Sequence, residues 1–344
     1  MGYPRVSLIW VNYNSGRFLE IAKESLLALT ELDYPSYEVI VVDNGSNDAS
    51  REYVREIAEK YRFKFIGLAR NLGFTGGNNV GFRARDKEAK YVVLINNDAI
   101  VYKDSLRELV EFIENERAVG AAQGIILSSD NTVDSAGVIM DEVLASHPLY
   151  RYKSPGMINR PLAVTYTSGA YSIYRVSSLL DVWHGMEKIF FDFGFGYFDD
   201  NVLGLQMWNH GWNCRVYPVK VGIHKASLSF GRASSLRAYL SLRNTLLLNE
   251  ITNSRYKSVI PIFAFRDAFP RAFRSKDKFY EVIAYAIKDY KRFKPFLVGY
   301  RLDIYKAPIM KIEPWNLIKF LGLRRRVTHK IDEELSLFFK DTKK

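Results

Sequence analysis

Three polar clusters in the first hundred residues, one acidic pair and one histidine carry the chemistry available to this sequence. Asn96-Asn97-Asp98 closes the apolar run 91–95. A carboxylate in that position can hold Mg²⁺ or Mn²⁺ while diphosphate oxygens and water complete the shell. Asp199-Asp200 follows 190–198, a stretch rich in aromatic residues and glycine. A carboxylate there can take a proton from an attacking hydroxyl. His224, soon after the strand-like run 216–221, is a third candidate for the metal site. The plain alternatives are a solvated loop for the acidic pair and a structural role for the lone histidine. The sequence has no Gly-Lys-Ser/Thr phosphate loop, and the glycines of 73–81 lack the dinucleotide-binding spacing, which sets aside P-loop kinases and most nicotinamide enzymes.

These residues need a frame, and the first part of the chain supplies one. Apolar, partly β-branched runs at 6–11, 39–42, 63–68 and 91–95 alternate with helical spacings. One such spacing joins Leu19, Ala22, Leu26 and Leu29, another Val54, Ile57, Ala58 and Tyr61, and a third Leu106, Leu109, Val110 and Ile113. Alternation of this kind predicts an α/β fold with a mostly parallel sheet flanked by helices. Ligands of such sheets bind beyond the carboxyl ends of the strands. Asn12-Tyr13-Asn14, Asp43-Asn44-Gly45-Ser46 and Asn96-Asn97-Asp98 fall at three of those ends and outline one polar crevice.

The 344 residues, 48% of them hydrophobic, suffice for a large core, and the single cysteine, Cys214, excludes an internal disulfide. No apolar run approaches the ~20 residues of a membrane-spanning helix, and the first apolar stretch ends too soon for a signal peptide. A soluble or peripheral, cytoplasmic chain is expected. Charge divides it: residues 1–230 carry 24 Lys and Arg against 27 Asp and Glu, whereas residues 231–344 carry 25 against 11, a net of +14. The spacing predicts helices at 239–251, 279–293 and 315–323, where basic residues accompany apolar ones. Phe279, Ile283, Ile287 and Tyr290 form one stripe beside Lys278, Lys288, Lys291, Arg292 and Lys294, and Trp315, Ile318 and Leu321 precede Arg324-Arg325-Arg326. Such helices suit an anionic membrane surface, with packing against the core as the alternative. The expected organisation is an α/β domain over 1–235 that carries the polar crevice and a basic helical region over 236–344.

Taken in order, the motifs resemble the family 2 glycosyltransferases of GT-A, Rossmann-like fold, above all the rhamnosyltransferase-like branch that extends bacterial and archaeal surface glycans. The likeness spans residues 4–250 and rests on Val11-Asn12-Tyr13-Asn14, Val41-Val42-Asp43-Asn44-Gly45-Ser46, Arg70-Asn71-Leu72-Gly73-Phe74 with Gly76-Gly77-Asn78-Asn79, and Leu94-Ile95-Asn96-Asn97-Asp98. Thr167-Ser168-Gly169-Ala170, Tyr197-Phe198-Asp199-Asp200 and Arg243-Asn244 continue it. The resemblance implies that Asp43 reads the donor base, that Asn12, Asn14, Asn71, Asn79, Asn96 and Asn97 complete the nucleotide site, and that Gly169 and Ala170 border the donor sugar. It implies Asp98 as a metal ligand, which gives weight to His224 as a further one, and Asp200, the second residue of the pair with Asp199, as the catalytic base. The sequence departs from the family pattern at Asp199, where Glu is common, at Asn96, and at Val202 and Gln206, where many relatives have Asp and Arg. The last two bear on acceptor contacts.

The implied activity is inverting, Mn²⁺- or Mg²⁺-dependent transfer of a hexosyl or deoxyhexosyl group. It would run from a nucleotide-diphospho-sugar to a saccharide acceptor, expected to be lipid-linked, at the cytoplasmic face of a membrane. A catalytically silent sugar- or lipid-binding module on the same scaffold is a second reading. A nucleic-acid-binding protein is a third, disfavoured because the basic excess lies away from the glycine-rich crevice.

Overall fold

Strand β1 (Val6–Asn12) is buried on both faces: Val6, Leu8 and Trp10 enter one apolar cluster and Ile9 the other. This two-sided burial is why the run reads as continuously apolar rather than alternating. The computed structural model describes residues 2–225, 235–273, 279–315 and 317. After β1 come α1 (Leu19–Ala28), β2 (Tyr37–Asp43), α2 (Ser50–Lys60), β3 (Lys64–Gly67), α3 (Gly73–Arg83), β4 (Tyr91–Asn96), β5 (Ala99–Val101) and α4 (Ser105–Asn115). The chain continues through β6 (Val119–Leu127), β7 (Val133–Ser135), β8 (Val138–Asp141), β9 (Ser146–Pro148), β10 (Leu162–Ala163), β11 (Tyr171–Arg175), α5 (Val176–Val182), α6 (Asp199–Asn209) and β12 (Asn213–His224). It ends in α7 (Ser235–Ile251), α8 (Ile260–Phe273), α9 (Phe279–Phe293) and the short β13 (Ile309–Met310).

The main sheet runs β10-β12-β6-β11-β4-β1-β2-β3, with β5 and β7 added on β12 and β6. Strands β3, β2, β1 and β4 are parallel, in register Asn12 to Asp43 and Val11 to Asn96, so the three polar clusters emerge side by side. The α/β class with flanking helices is as the sequence predicts. Beyond β4 the sheet becomes mixed, because β11 lies antiparallel between β4 and β6. That reversal brings Gly169-Ala170, just before β11, next to the end of β4: the Asn96 N–H donates to the Ala170 carbonyl at 3.0 Å. A small second sheet, β13-β8-β9, closes the far side.

The basic C-terminal part shares the core of the first part. Leu247, Leu248 and Ile251 of α7, Ile260 and Phe263 of α8, and Leu302 and Ile304 join the cluster that holds Ile125 of β6 and Tyr174 of β11. Part of the predicted apolar stripe is used the same way, since Ile283 and Tyr290 pack against Leu242, Leu246, Ala264 and Ala268. Ile318, Leu321, Lys278 and Arg324-Arg325-Arg326 lie outside the described residues. Among the described residues no helix is long and apolar enough to cross a membrane.

Candidate active site

The loops after β1 and β2 are cross-tied by side chains that the solvent does not reach. Asn12 donates through Nδ2 to Asp43 Oδ2 at 2.9 Å and to the hydroxyls of Ser50 and Ser46 at 3.0 and 3.2 Å, while its Oδ1 accepts from Ser15 Oγ at 2.6 Å. Asp43 Oδ1 accepts the Ser46 N–H at 3.0 Å. Both residues are fully buried. Asn14, at a φ of 45°, accepts the Asn47 N–H at 2.9 Å. Asn14 is partly exposed, whereas Asn12 and Asp43 organise the crevice from behind its wall. Asn79 does the same elsewhere: its amide bonds Ile189, Phe190 and Asp192 and fixes the chain entering the aromatic loop.

The wall itself belongs to their neighbours. A cavity of about 380 Å³ is lined by Tyr13, Asn44, Asn71, Asn78, Asn96, Asn97, Asp98 and His224 among others. Asn44 joins the two loops by donating to Asn71 Oδ1 at 3.0 Å and to the Gly73 carbonyl at 2.9 Å. Gly73 opens α3 with φ of 75°, and a Cβ there would lie 2.1 Å from the Phe195 carbonyl oxygen, so only glycine allows this approach.

Asp98 is nearly buried, and its Oδ1 lies 2.9 Å from His224 Nε2. The other ring nitrogen, Nδ1, lies 2.8 Å from Asp134 Oδ2 on β7. Burial disfavours the charged imidazole, but the hydrogen bonds and charges of Asp134 and Asp98 outweigh it and raise His224 to about 9. For Asp134, burial pushes the carboxyl up, yet His224 and then Arg151 hold it below its ordinary value. Among the described residues no cluster of three or more His, Cys, Asp or Glu forms a metal cage. A divalent ion would have to displace the Nε2 proton that Asp98 accepts; once it is lost, one carboxylate and one imidazole fit an ion that fills its remaining positions with ligand oxygens and water.

The acidic pair starts α6 and lines a second, larger cavity of about 730 Å³. Phe74, Asn96, Tyr197, His224 and Arg237 line both cavities, so the two share a wall. Asp200 Oδ2 accepts the Gly169 N–H at 3.2 Å. Its Oδ1, and that of Asn201 beside it, are buried without a hydrogen-bond partner among the described residues. A Cβ on Gly169 would meet Phe74 at 2.8 Å and Asp200 Oδ1 at 3.0 Å, which explains a glycine facing the carboxylate. Burial pushes Asp200 up to about 6. Asp199 is held well above its ordinary value by burial and then by the Asp200 charge, with Arg243 opposing.

The structure thus brings Asn71, Asn96, Asn97, Asp98, Gly169, Ala170, Asp199, Asp200 and His224 to two adjoining cavities; Asn12, Asp43 and Asn79 are buried behind them, and the partly exposed Asn14 lines neither. Sequence reasoning assigned no role to Tyr13, Asn44 and Asn78, although each adjoins a residue it named. It also missed Asp134, whose partner lies 90 residues away.

Comparison with known proteins identifies the family and matches the fold. The family model described as Glycosyl transferase family 2 matches residues 7–183. The poly-beta-1,6-N-acetyl-D-glucosamine synthase of Staphylococcus epidermidis is 25% identical over 189 residues, 52% of this chain and 41% of its own length. The chain therefore spans about two-fifths of that relative. The fold is similar to that of S. aureus TarS in complex with UDP-GlcNAc, with a TM-score of 0.54 and 20% identity over 83% of this chain and 80% of that one. It is also similar to GalNAc-T7 with UDP, GalNAc and Mn²⁺, with a TM-score of 0.59 and 15% identity over 88% and 59%. With the matching model covering half of the chain and running from β1 to α5, the protein belongs to glycosyl transferase family 2.

Proposed function

We propose that the protein transfers a sugar from a nucleotide-diphospho-sugar, bound in the smaller cavity, to a hydroxyl of a saccharide acceptor in the larger one, with inversion. The observation that carries the reading is the buried Asp200 carboxylate, whose free Oδ1 accompanies a cavity sharing a wall with the Asp98–His224 end of the nucleotide site. Asp43 and Asn12 set the base-reading loop, and Asn44, Asn71 and Tyr13 face the nucleoside. Asp98 and His224 would hold Mn²⁺ or Mg²⁺, which when bound supplies positive charge to the departing diphosphate. Mn²⁺ in the GalNAc-T7 structure supports that choice.

Asp200 receives the proton of the acceptor hydroxyl as its oxygen attacks the anomeric carbon. The bond from that carbon to the diphosphate oxygen breaks, and the nucleoside diphosphate leaves with the electron pair. With its carboxyl near 6, Asp200 is ionised at neutral pH yet more basic than an ordinary aspartate, as a general base requires.

A lipid-linked acceptor and attachment to an anionic, cytoplasmic membrane surface complete the reading. Phe263 and Ala264 of α8 line the larger cavity, and on the same helix Ile262 and Phe265 are exposed. Phe296 and Val298 are exposed beyond α9, in the part of the chain that carries the +14 net charge. The deciding experiment is thermal stabilisation by UDP, GDP, dTDP and CDP, each with and without Mn²⁺, because a ligand of the folded state raises stability by mass action. One base should stand out and its effect should grow with Mn²⁺; stabilisation by none of the four would sink the proposal.

A further inference from the structure

The segment that delivers the acidic pair follows a backbone path that bulky residues resist. Phe195, Tyr197 and Phe198 have φ of 66°, 63° and 64°, in the left-handed region where a Cβ crowds the backbone. Asp199 and Asp200 come next, as the first turn of α6, with Phe198 as its cap residue. If these residues relaxed to negative φ, the entry of α6 would turn and the two carboxylates with it.

The restraint comes from a helix some fifty residues downstream. Asn244 of α7 donates through Nδ2 to the carbonyls of Gly196 and Tyr197, both at 2.8 Å, with the Gly194 carbonyl at 3.3 Å. Arg243 donates through Nη2 to Gly194 at 2.5 Å and Phe193 at 3.2 Å, and its Nε bonds Asn244 Oδ1 at 2.8 Å, which fixes the way the amide faces. On the other side, the Phe74 N–H donates to the Phe195 carbonyl at 2.6 Å, and Thr75 Oγ1 accepts the Phe195 N–H at 3.0 Å. Arg243 and Asn244 are both buried, and neither lines the nucleotide cavity or the larger one. Burying a guanidinium and an amide side by side is unfavourable unless their donors are used. Here they are used on the carbonyls of the strained loop.

We propose that Arg243 and Asn244 form a positioning clamp that holds loop 193–198 in its left-handed path and thereby aims the Asp199-Asp200 pair at the acceptor cavity. The inference rests on the reading of Asp200 as the base. The clamp acts through the loop and touches no substrate, so its loss should lower turnover without weakening the donor site.

The test uses the full chain with Asn244→Ala and, in case that variant fails to fold, Arg243→Lys, which keeps the charge but loses the planar fork. Hydrogen exchange of peptides covering 193–200 is compared with peptides from β1 and α2. Binding of UDP and GDP with Mn²⁺ is measured alongside, as is turnover with the donor selected by the nucleotide panel. Exchange in 193–200 should rise at least ~10-fold while β1 and α2 stay unchanged, as expected when local opening is confined to one segment. Turnover should fall ~10²-fold at constant donor KM, the scale of a small misplacement of a reacting group. Unchanged exchange with retained turnover would overturn the clamp, and so would donor affinity falling in step with turnover. Asp200→Asn is assayed in parallel: if it keeps its turnover, the base assignment fails, while the exchange data still judge the clamp.

Discussion

Replacing Asp200 by Asn should remove a pH-dependent cost from the fold while lowering turnover. Burial raises the Asp200 carboxyl from 3.8 to about 6, and the Gly169 N–H offsets only part of that. The native state therefore holds this proton more tightly than the unfolded chain. Below about 3.8 both states are protonated and the carboxyl adds no cost; between about 3.8 and 6 only the native state stays protonated, so stability falls as pH rises; above about 6 the whole cost stands. At about 1.4 kcal/mol per pH unit, that cost is about 3 kcal/mol. The new amide brings its own penalty of about 1–3 kcal/mol if its N–H groups find no partner, but that penalty does not vary with pH. Asp199 remains in both proteins, and losing the neighbouring charge eases its ionisation, an effect of the same sign. Urea unfolding at about pH 4 and about pH 7.5 separates the contributions: Asp200→Asn should gain on the order of 2–3 kcal/mol over wild type between the two conditions. Turnover should fall ~10²–10⁴-fold with donor affinity intact. A stability difference that does not change with pH, or one that grows in favour of wild type as pH rises, would refute the reasoning.

Asp98→Ala should abolish the Mn²⁺-dependent part of nucleoside-diphosphate binding and leave the fold intact; calorimetry with and without Mn²⁺ checks it, and an undiminished Mn²⁺ effect would move the metal elsewhere. Asp134→Asn should weaken Mn²⁺ binding ~10–100-fold, the usual effect of losing the carboxylate behind a metal-binding imidazole, as read by Mn²⁺ titration of the nucleotide complex. Gly169→Ala should keep nucleotide binding yet lose turnover, because its methyl group would press on Phe74 and the Asp200 carboxylate. The 344-residue chain should co-sediment with anionic vesicles at low salt and partly at high salt, and Phe296→Ser with Val298→Ser should reduce the salt-resistant fraction. Equal binding by wild type and the double variant would separate these exposed residues from the membrane.

What the sequence made legible follows from how local each constraint is. Strands β1, β2 and β4 are buried on both faces, so their apolar runs stand out, and the polar residues that end them mark the crevice without any knowledge of the register. Which residue of each cluster lines the cavity is another matter. Asn12 and Asp43 are paired across two parallel strands and spend their hydrogen bonds on each other and on the serines around them, Ser15, Ser46 and Ser50, leaving the wall to Tyr13 and Asn44 one position on. That one-residue shift is set by the strand ends and the turns after them, and composition does not encode it. Antiparallel β11 was equally hidden, because only its pairing with β4 and β6 defines its direction. The C-terminal third misled for a physical reason. Its net charge suggests a separate surface element, yet charge is carried by side-chain ends, whereas the apolar residues of α7 and α8 complete the core. Arg243 and Asn244 show the consequence: in a region that reads as a basic helix, two buried polar residues of one turn reach back to the loop that carries the acidic pair. A helix that supplies both core leucines and the restraint on loop 193–198 belongs to the active site by its hydrogen bonds, whatever its charge directs outward.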